Sequence, residues 1–313
     1  MPSSQRVGAR SMRGKREPGL GRGSMLYFRQ DKSANAARMT KVAASRRHLV
    51  STDAGVVDIL DIGKSQAQAI ILITHGLGSV ESFQEIAEGL EARFPGRRII
   101  AYSRPGRGNS PAADAAENAD YLSFEACLAL PAIMRALGVI KADLVAHSDG
   151  VAVAMLFACA HPWLVDRIVA ISPQVHANEP DFGARGEVPS EQECAPEIDK
   201  LGASHLDPKL AAACWSSARL ALAADLDRVL GRIQKLDAPL LLIQGLKDDC
   251  GAPAQMDAIS ARVQGPMKWV ILQHDGHYPQ HDSTEVVLDL ICGHLAEPRV
   301  LGRDERVVAH ATI

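Results

Sequence analysis

Ser148, a carboxylate at Asp248 or Asp249, and His277 occur in that chain order, each just after a short apolar run. Together they have the groups needed for acyl transfer. The serine attacks, a histidine within hydrogen-bond reach takes its proton, and an acid fixes the histidine tautomer and balances its charge. Ser148 lies in Ala146-His147-Ser148-Asp149-Gly150, between the run Ala142-Asp143-Leu144-Val145 and the apolar stretch from Val151 to Ala158. A strand, a one-residue apex and an immediate helix hold the apex in a strained conformation, at a cost of about 1–3 kcal/mol. Strand and helix pass close together there, so the residues two before and two after the apex must be small. Ala146 and Gly150 meet that condition with Ser148 at the apex. With Asp149 at the apex the flanks would be His147 and Val151, which are too large. His147 is read as structural, pointing away from the apex.

Two downstream loops supply the partners. Ala238 to Gln244 reads as a buried parallel strand and opens into Gly245-Leu246-Lys247-Asp248-Asp249-Cys250-Gly251. Lys268 to Leu272 reads as another strand and is followed by Gln273-His274-Asp275-Gly276-His277-Tyr278-Pro279. Both loops fall beyond the carboxyl ends of strands, where open α/β sheets bind ligands. Upstream, the run Ala69 to Ile73 leads into Thr74-His75-Gly76-Leu77-Gly78-Ser79, whose glycines let backbone amides approach a substrate. This loop does not end in Gly-Lys-Ser/Thr and lacks the Gly-x-Gly-x-x-Gly spacing, which argues against a phosphate loop.

The elements that must carry these loops alternate. His48 to Thr52 and Val56 to Ile62 read as an opening hairpin, Ser82 to Arg93 as a helix, Arg98 to Tyr102 as a strand, Tyr121 to Leu137 as a helix and Val165 to Ile171 as a strand. Such alternation predicts an α/β fold with a doubly wound, mostly parallel sheet. Residues 175–236 break the alternation. They read as a helical cap insertion, in which Pro208 to Leu236 carries apolar markers and Trp215 is the candidate wall of an apolar substrate pocket. A helix pair packed on the domain for stability alone is the competing reading.

From about Arg47 to Leu295 the chain resembles the α/β-hydrolase superfamily. The resemblance rests on His75-Gly76-Leu77-Gly78, Ser103-Arg104-Pro105-Gly106-Arg107-Gly108-Asn109-Ser110, the elbow at Ala146 to Gly150, Gly245-Leu246-Lys247-Asp248, and Gly276-His277-Tyr278-Pro279. It is most similar to capped serine hydrolases with a His-Ser-Asp-Gly elbow. That resemblance implies Ser148 as nucleophile, Asp248 as acid, His277 as base, and the amides of Leu77 and Asp149 as oxyanion donors. Three positions depart from the family pattern: Ala146 replaces glycine, Ser103 replaces aspartate, and proline after the acid loop arrives one place late, at Pro253.

Composition sets the limits. The chain has 313 residues, 47% of them hydrophobic, enough for one large core. A net charge of −3 offers no basic field for nucleic acid, and aromatic content of 4% gives no stacking platform. The six cysteines (127, 159, 194, 214, 250 and 292) are scattered, with no Cys-x-x-Cys pair, and read as reduced thiols of a cytoplasmic protein. Cys250, beside the acid loop, reads as a packing thiol. His274, His277 and His281 do not share a helix face, so no metal site is expected, and no apolar run is long enough to span a membrane. The first 48 residues hold twelve Lys and Arg against Glu17 and Asp31. Residues 1–46 therefore read as a basic leader outside the core: a start-site artefact with translation from Met39 or Met25, a solvated tail, or a transit peptide. Residues 47–174 and 237–296 form the core, and 297–313 a tail. The expected activity is a serine hydrolase with no cofactor, acting on a small carboxylic ester or lactone. A C–C bond hydrolase or perhydrolase with the same triad, and a ligand-sensing protein with little turnover, are the alternatives.

Overall fold

The protein was analysed as a computed structural model, which describes residues 25–28, 46–64, 67–112, 121–175, 204–224, 227–248, 252–298 and 306–311. Its strands are β1 (Met25–Phe28), β2 (Arg46–Thr52), β3 (Gly55–Ile62), β4 (Ala69–Ile73), β5 (Arg98–Tyr102), β6 (Ala142–His147), β7 (Val165–Ile171), β8 (Leu240–Gly245), β9 (Met267–Leu272) and β10 (Arg306–Ala311). They form one sheet in the order β1-β10-β9-β8-β7-β6-β4-β5-β3-β2. Pairing is antiparallel for β2 with β3 and β3 with β5, and parallel throughout the rest. The doubly wound, mostly parallel α/β fold expected from the alternation of elements is the fold observed.

The central strands are apolar on both faces because helices cover both. In β4, Ile71 and Ile73 face a core shared with Leu130, Ile133, Val153 and Phe157, whereas Ile70 and Leu72 face one shared with Phe83, Ile86, Leu288 and Ile291. Each such side chain, fully withdrawn from water, contributes about 1.5–3 kcal/mol. Helix α1 (Gln84–Arg93) and helix Thr284–Ala296 thus lie over one face, and helix α3 (Leu130–Ala136) and helix α4 (Gly150–Ala160) over the other.

Two details depart from the simple periodic reading. The helix read from Ser82 starts as a 3-10 turn, Val80–Phe83, because Ser79 Oγ accepts from Glu81 N and Ser82 Oγ accepts from Ser79 N. The helix read from Tyr121 consists of α2 (Tyr121–Phe124), a π turn at Glu125–Ala129, and α3. Pro131, at the start of α3, has no amide to donate, and the wider turn lies just before it.

The stretches read as leader and tail each hold a strand. Met25–Phe28 is a strand in the first, Arg306–Ala311 in the second, and Arg46 already belongs to β2. An open sheet leaves a row of unpaired amides and carbonyls along its edge. β10 pairs there with β9, and β1 with β10. The insertion read as a cap is described from residue 204 onward. It holds helix Pro208–Ala224, a short helix Asp227–Leu230 and a 3-10 turn Ile233–Lys235, while residues 176–203 lie outside the described residues.

Candidate active site

Ser148 has φ 57°, in the left-handed region, between the last residue of β6 and the first of α4. Its amide donates to Ile171 O at 3.0 Å, and its carbonyl accepts from Val151 N at 3.0 Å. These bonds lock the turn between the neighbouring strand and the new helix. The small residue after the apex has a direct cause: a Cβ on Gly150 would lie 2.5 Å from Thr74 O and 2.9 Å from Ile73 O. Ala146 is likewise fully buried. Holding the backbone this way turns Oγ toward the carboxyl ends of the strands.

Two loops meet Ser148 there. Ser148 Oγ lies 3.0 Å from His277 Nε2, and His277 Nδ1 lies 2.9 Å from Asp248 Oδ2. Asp248 is held on β8 itself, since Gln244 Nε2 donates to the same Oδ2 at 2.8 Å. The acid and histidine loops are also stitched together: Lys247 N donates to Asp275 O at 2.9 Å and Leu246 N to Leu272 O at 2.8 Å. The Asp248 side chain is 3% exposed and that of His277 12%, so the carboxylate is dry and the imidazole reachable. A proton on Nδ1, donated to Asp248, leaves the Nε2 lone pair free to take the hydroxyl proton of Ser148. Asp249 and Cys250 lie outside the described residues. His147 is not idle: its Nε2–H donates to the backbone carbonyl of His277 at 2.8 Å, and burial keeps its pKa well below the usual histidine value. The rings of His75, His147 and His277 follow one another at centroid separations of 5.1 and 5.0 Å.

Leu77 follows Gly76 in a turn closed by Gly78 N donating to His75 O at 2.9 Å, and Asp149 directly precedes α4. Among the described residues, the amide of neither Leu77 nor Asp149 has an acceptor within the protein. The surrounding carbonyls and carboxylates are held by two arginines whose roles sequence reasoning missed. Fully buried Arg104 donates to Thr74 O at 3.3 Å and pairs with Asp149 at 3.0 Å and with buried Glu125. Arg107, also fully buried, donates to Gly76 O, to Pro105 O at 3.1 Å and to Tyr121 Oη. The one available signal was two arginines among glycine and proline just after a buried strand. Half-buried Trp215, on helix Pro208–Ala224, packs its indole on Gly76, in the space a Cβ would take.

Gln174 is a further residue that sequence reasoning missed. It follows β7, and its carboxamide oxygen lies 3.2 Å from Ser148 Oγ. Among the described residues there is no group of three or more His, Cys, Asp or Glu placed to hold a metal ion, and no helix long and apolar enough to cross a membrane. His274, His277 and His281 thus form no such group. Cys127, Cys159, Cys214 and Cys292 are thiols not in disulfides, and Cys194 lies outside the described residues.

Residues 68–193 match the family model described as alpha/beta hydrolase fold. A curated relative, the sn-1-specific diacylglycerol lipase ABHD11 of Danio rerio, is 27% identical over 192 residues, which are 60% of this chain and 58% of the relative. The chain therefore matches less than two thirds of that relative's length. Among solved structures, the enol-lactonase from Burkholderia xenovorans LB400 superposes with a TM-score of 0.63 at 16% identity, over 80% of this chain and all of that one. Carboxylesterase CesB from Bacillus subtilis superposes with a TM-score of 0.60 at 20% identity, over 82% of this chain and 93% of that one. At these identities the two structures speak for the fold.

Proposed function

We propose that this chain, which resembles the α/β-hydrolase superfamily, is a serine hydrolase cleaving a small carboxylic ester or lactone through an acyl-enzyme. The observation that carries this reading is the unbroken chain of contacts from Asp248 through His277 to a strained Ser148. Ser148 Oγ attacks the carbonyl carbon while its proton passes to His277 Nε2. The oxygen that gains charge is received by the free amides of Leu77 and Asp149, donors already oriented before the charge develops. Collapse breaks the bond to the alcohol, which leaves with the proton from His277. Water then repeats the sequence on the acyl-enzyme, and the carboxylic acid departs. Asp248 keeps the imidazole in the required tautomer and stays ionised. Every step uses side chains and amides of this chain.

Trp215 supports a compact acyl group, because its indole closes over Gly76 beside the oxyanion amides. The named relatives are a lipase, an enol-lactonase and a carboxylesterase, and all three names describe attack on a carbonyl bearing an oxygen leaving group. A fluorophosphonate should label the wild type at Ser148, and Ser148→Ala should lose labelling and most turnover, by up to ~10⁶-fold. Labelling that persists in Ser148→Ala would remove the nucleophile. A wild type that neither labels nor hydrolyses any ester of a graded chain-length panel would instead make the site a ligand sensor. Turnover of a vinylogous diketone, but of no ester, would shift the reading to C–C bond cleavage.

A further inference from the structure

Ser148 and Ser172 are the two non-glycine residues with positive φ among the described residues, at 57° and 43°. They end neighbouring parallel strands, and each amide donates to the next strand along: Ser148 N to Ile171 O, and Ser172 N to Ile243 O at 2.8 Å. Backbone strain of this kind persists only where the surroundings enforce it, and it concentrates at functional sites. The bend at Ser172 folds Pro173 and Gln174 back over the elbow. Gln174 N then donates to Ser148 O at 3.1 Å, and Val175 N to Gln255 Oε1 at 2.9 Å, which pins the segment from both sides. The result is a half-buried carboxamide 3.2 Å from the nucleophile oxygen.

Counting protons decides what that carboxamide does. Ser148 Oγ carries one hydrogen, and both His277 Nε2 and Gln174 Oε1 lie in reach of it. When His277 donates Nδ1–H to Asp248, Nε2 is an acceptor and claims that hydrogen. The oxygen of Gln174 would then face only lone pairs. Turning the carboxamide over, an exchange of near-identical shapes, brings its NH₂ to Oγ instead. Resting on the serine-hydrolase reading, we propose that Gln174 is a further catalytic residue, whose side-chain N–H donates to Ser148 Oγ and assists deacylation. In the acyl-enzyme, Oγ is the ester oxygen. A donor on it draws electron density from the acyl carbonyl, which water attacks. When the C–Oγ bond breaks, the same N–H supports the departing serine oxygen as His277 returns its proton. In acylation the donor brings no advantage, since it tempers the attacking lone pair.

The two half-reactions should therefore separate. Gln174→Leu and the closer-shaped Gln174→Met should label with fluorophosphonate within about threefold of the wild-type rate, while kcat for a nitrophenyl acetate falls about tenfold, the worth of roughly one hydrogen bond. KM should fall with kcat, a burst of one equivalent of nitrophenolate should precede the slow steady state, and the acetylated chain should accumulate in intact-protein mass spectra. Loss of labelling and turnover together in both variants would make Gln174 a structural residue and overturn the proposal. An unchanged kcat in both would overturn it as well. A wild type that does not label would overturn the serine-hydrolase reading along with this one.

Discussion

A single oxygen of Asp248 carries two bonds, accepting from His277 Nδ1 and from Gln244 Nε2. The second bond fixes the first, because Gln244 is part of β8 and cannot drift from the sheet. Replacing the acid by Asn leaves the shape but supplies an N–H where an acceptor is needed, so the imidazole turns to the wrong tautomer. Asp248→Asn should therefore lower kcat by ~10⁴-fold, whereas Asp249→Asn should stay within about tenfold, or ~1.4 kcal/mol. Steady-state ester kinetics on both variants check this, and the reverse ranking would move the acid by one residue. Spacing alone left the two neighbouring aspartates as alternatives, and the contact that brings Asp248 to His277 joins positions 29 residues apart. Ser148 was legible for the opposite reason, since the need for small flanks is written within five residues. Gln174 was not legible, because it reaches the site only through the left-handed turn at Ser172.

The loop from Ser103 to Ser110 braces the turn that follows β4. Arg104 ties the Asp149 side chain and Thr74 O to Glu125 in the π turn, and Arg107 ties Gly76 O to Tyr121. Removing a partner from a buried ionic cluster leaves the remaining charges in low dielectric, at about 3–5 kcal/mol. Arg104→Met strands both Glu125 and Asp149, so its melting temperature should drop by about 10 °C. Glu125→Gln should drop less, because the amide can still accept from Arg104. Thermal unfolding of the two variants gives the test, and an unchanged Arg104→Met would mean the cluster carries no stability. Central strands were legible here as short continuous apolar runs, and helices from apolar positions that repeat every three to four residues. The π turn was not, as Glu125 to Met134 reads as an ordinary helical stripe.

The whole molecule holds several histidines in a form that acid disfavours. Burial pushes His75 down to about 3 and His294 to about 4, and it holds His147 well below its usual value. The unfolded chain binds these protons as pH falls through about 6.5, while the fold refuses them until pH 3–4. Between those limits the unfolded state binds more protons, so stability declines as pH falls. Each histidine contributes a slope of ~1.4 kcal/mol per pH unit, or about 2 kcal/mol by pH 5. Asp143 and Asp275, raised by burial, act with the opposite sign, but only near the acidic end of this window. Urea midpoints should therefore fall markedly from pH 7.5 to pH 5, and equal midpoints would contradict neutral burial of these rings. The strands at 25–28 and 306–311 were not legible at this scale, because edge pairing depends on what the rest of the sheet leaves open.

The bond from His277 to Ser148 joins positions 129 residues apart, and the one from His147 to the His277 carbonyl spans 130. Neither can form until β8 has docked on β7 and β9 on β8. Contacts so distant along the chain are the slow ones to close during folding, because the entropy of the intervening loop is lost before the contact repays it. A newly made chain would thus carry Ser148 long before that residue met His277. Partly folded molecules would have helices and strands while these two side chains were still apart.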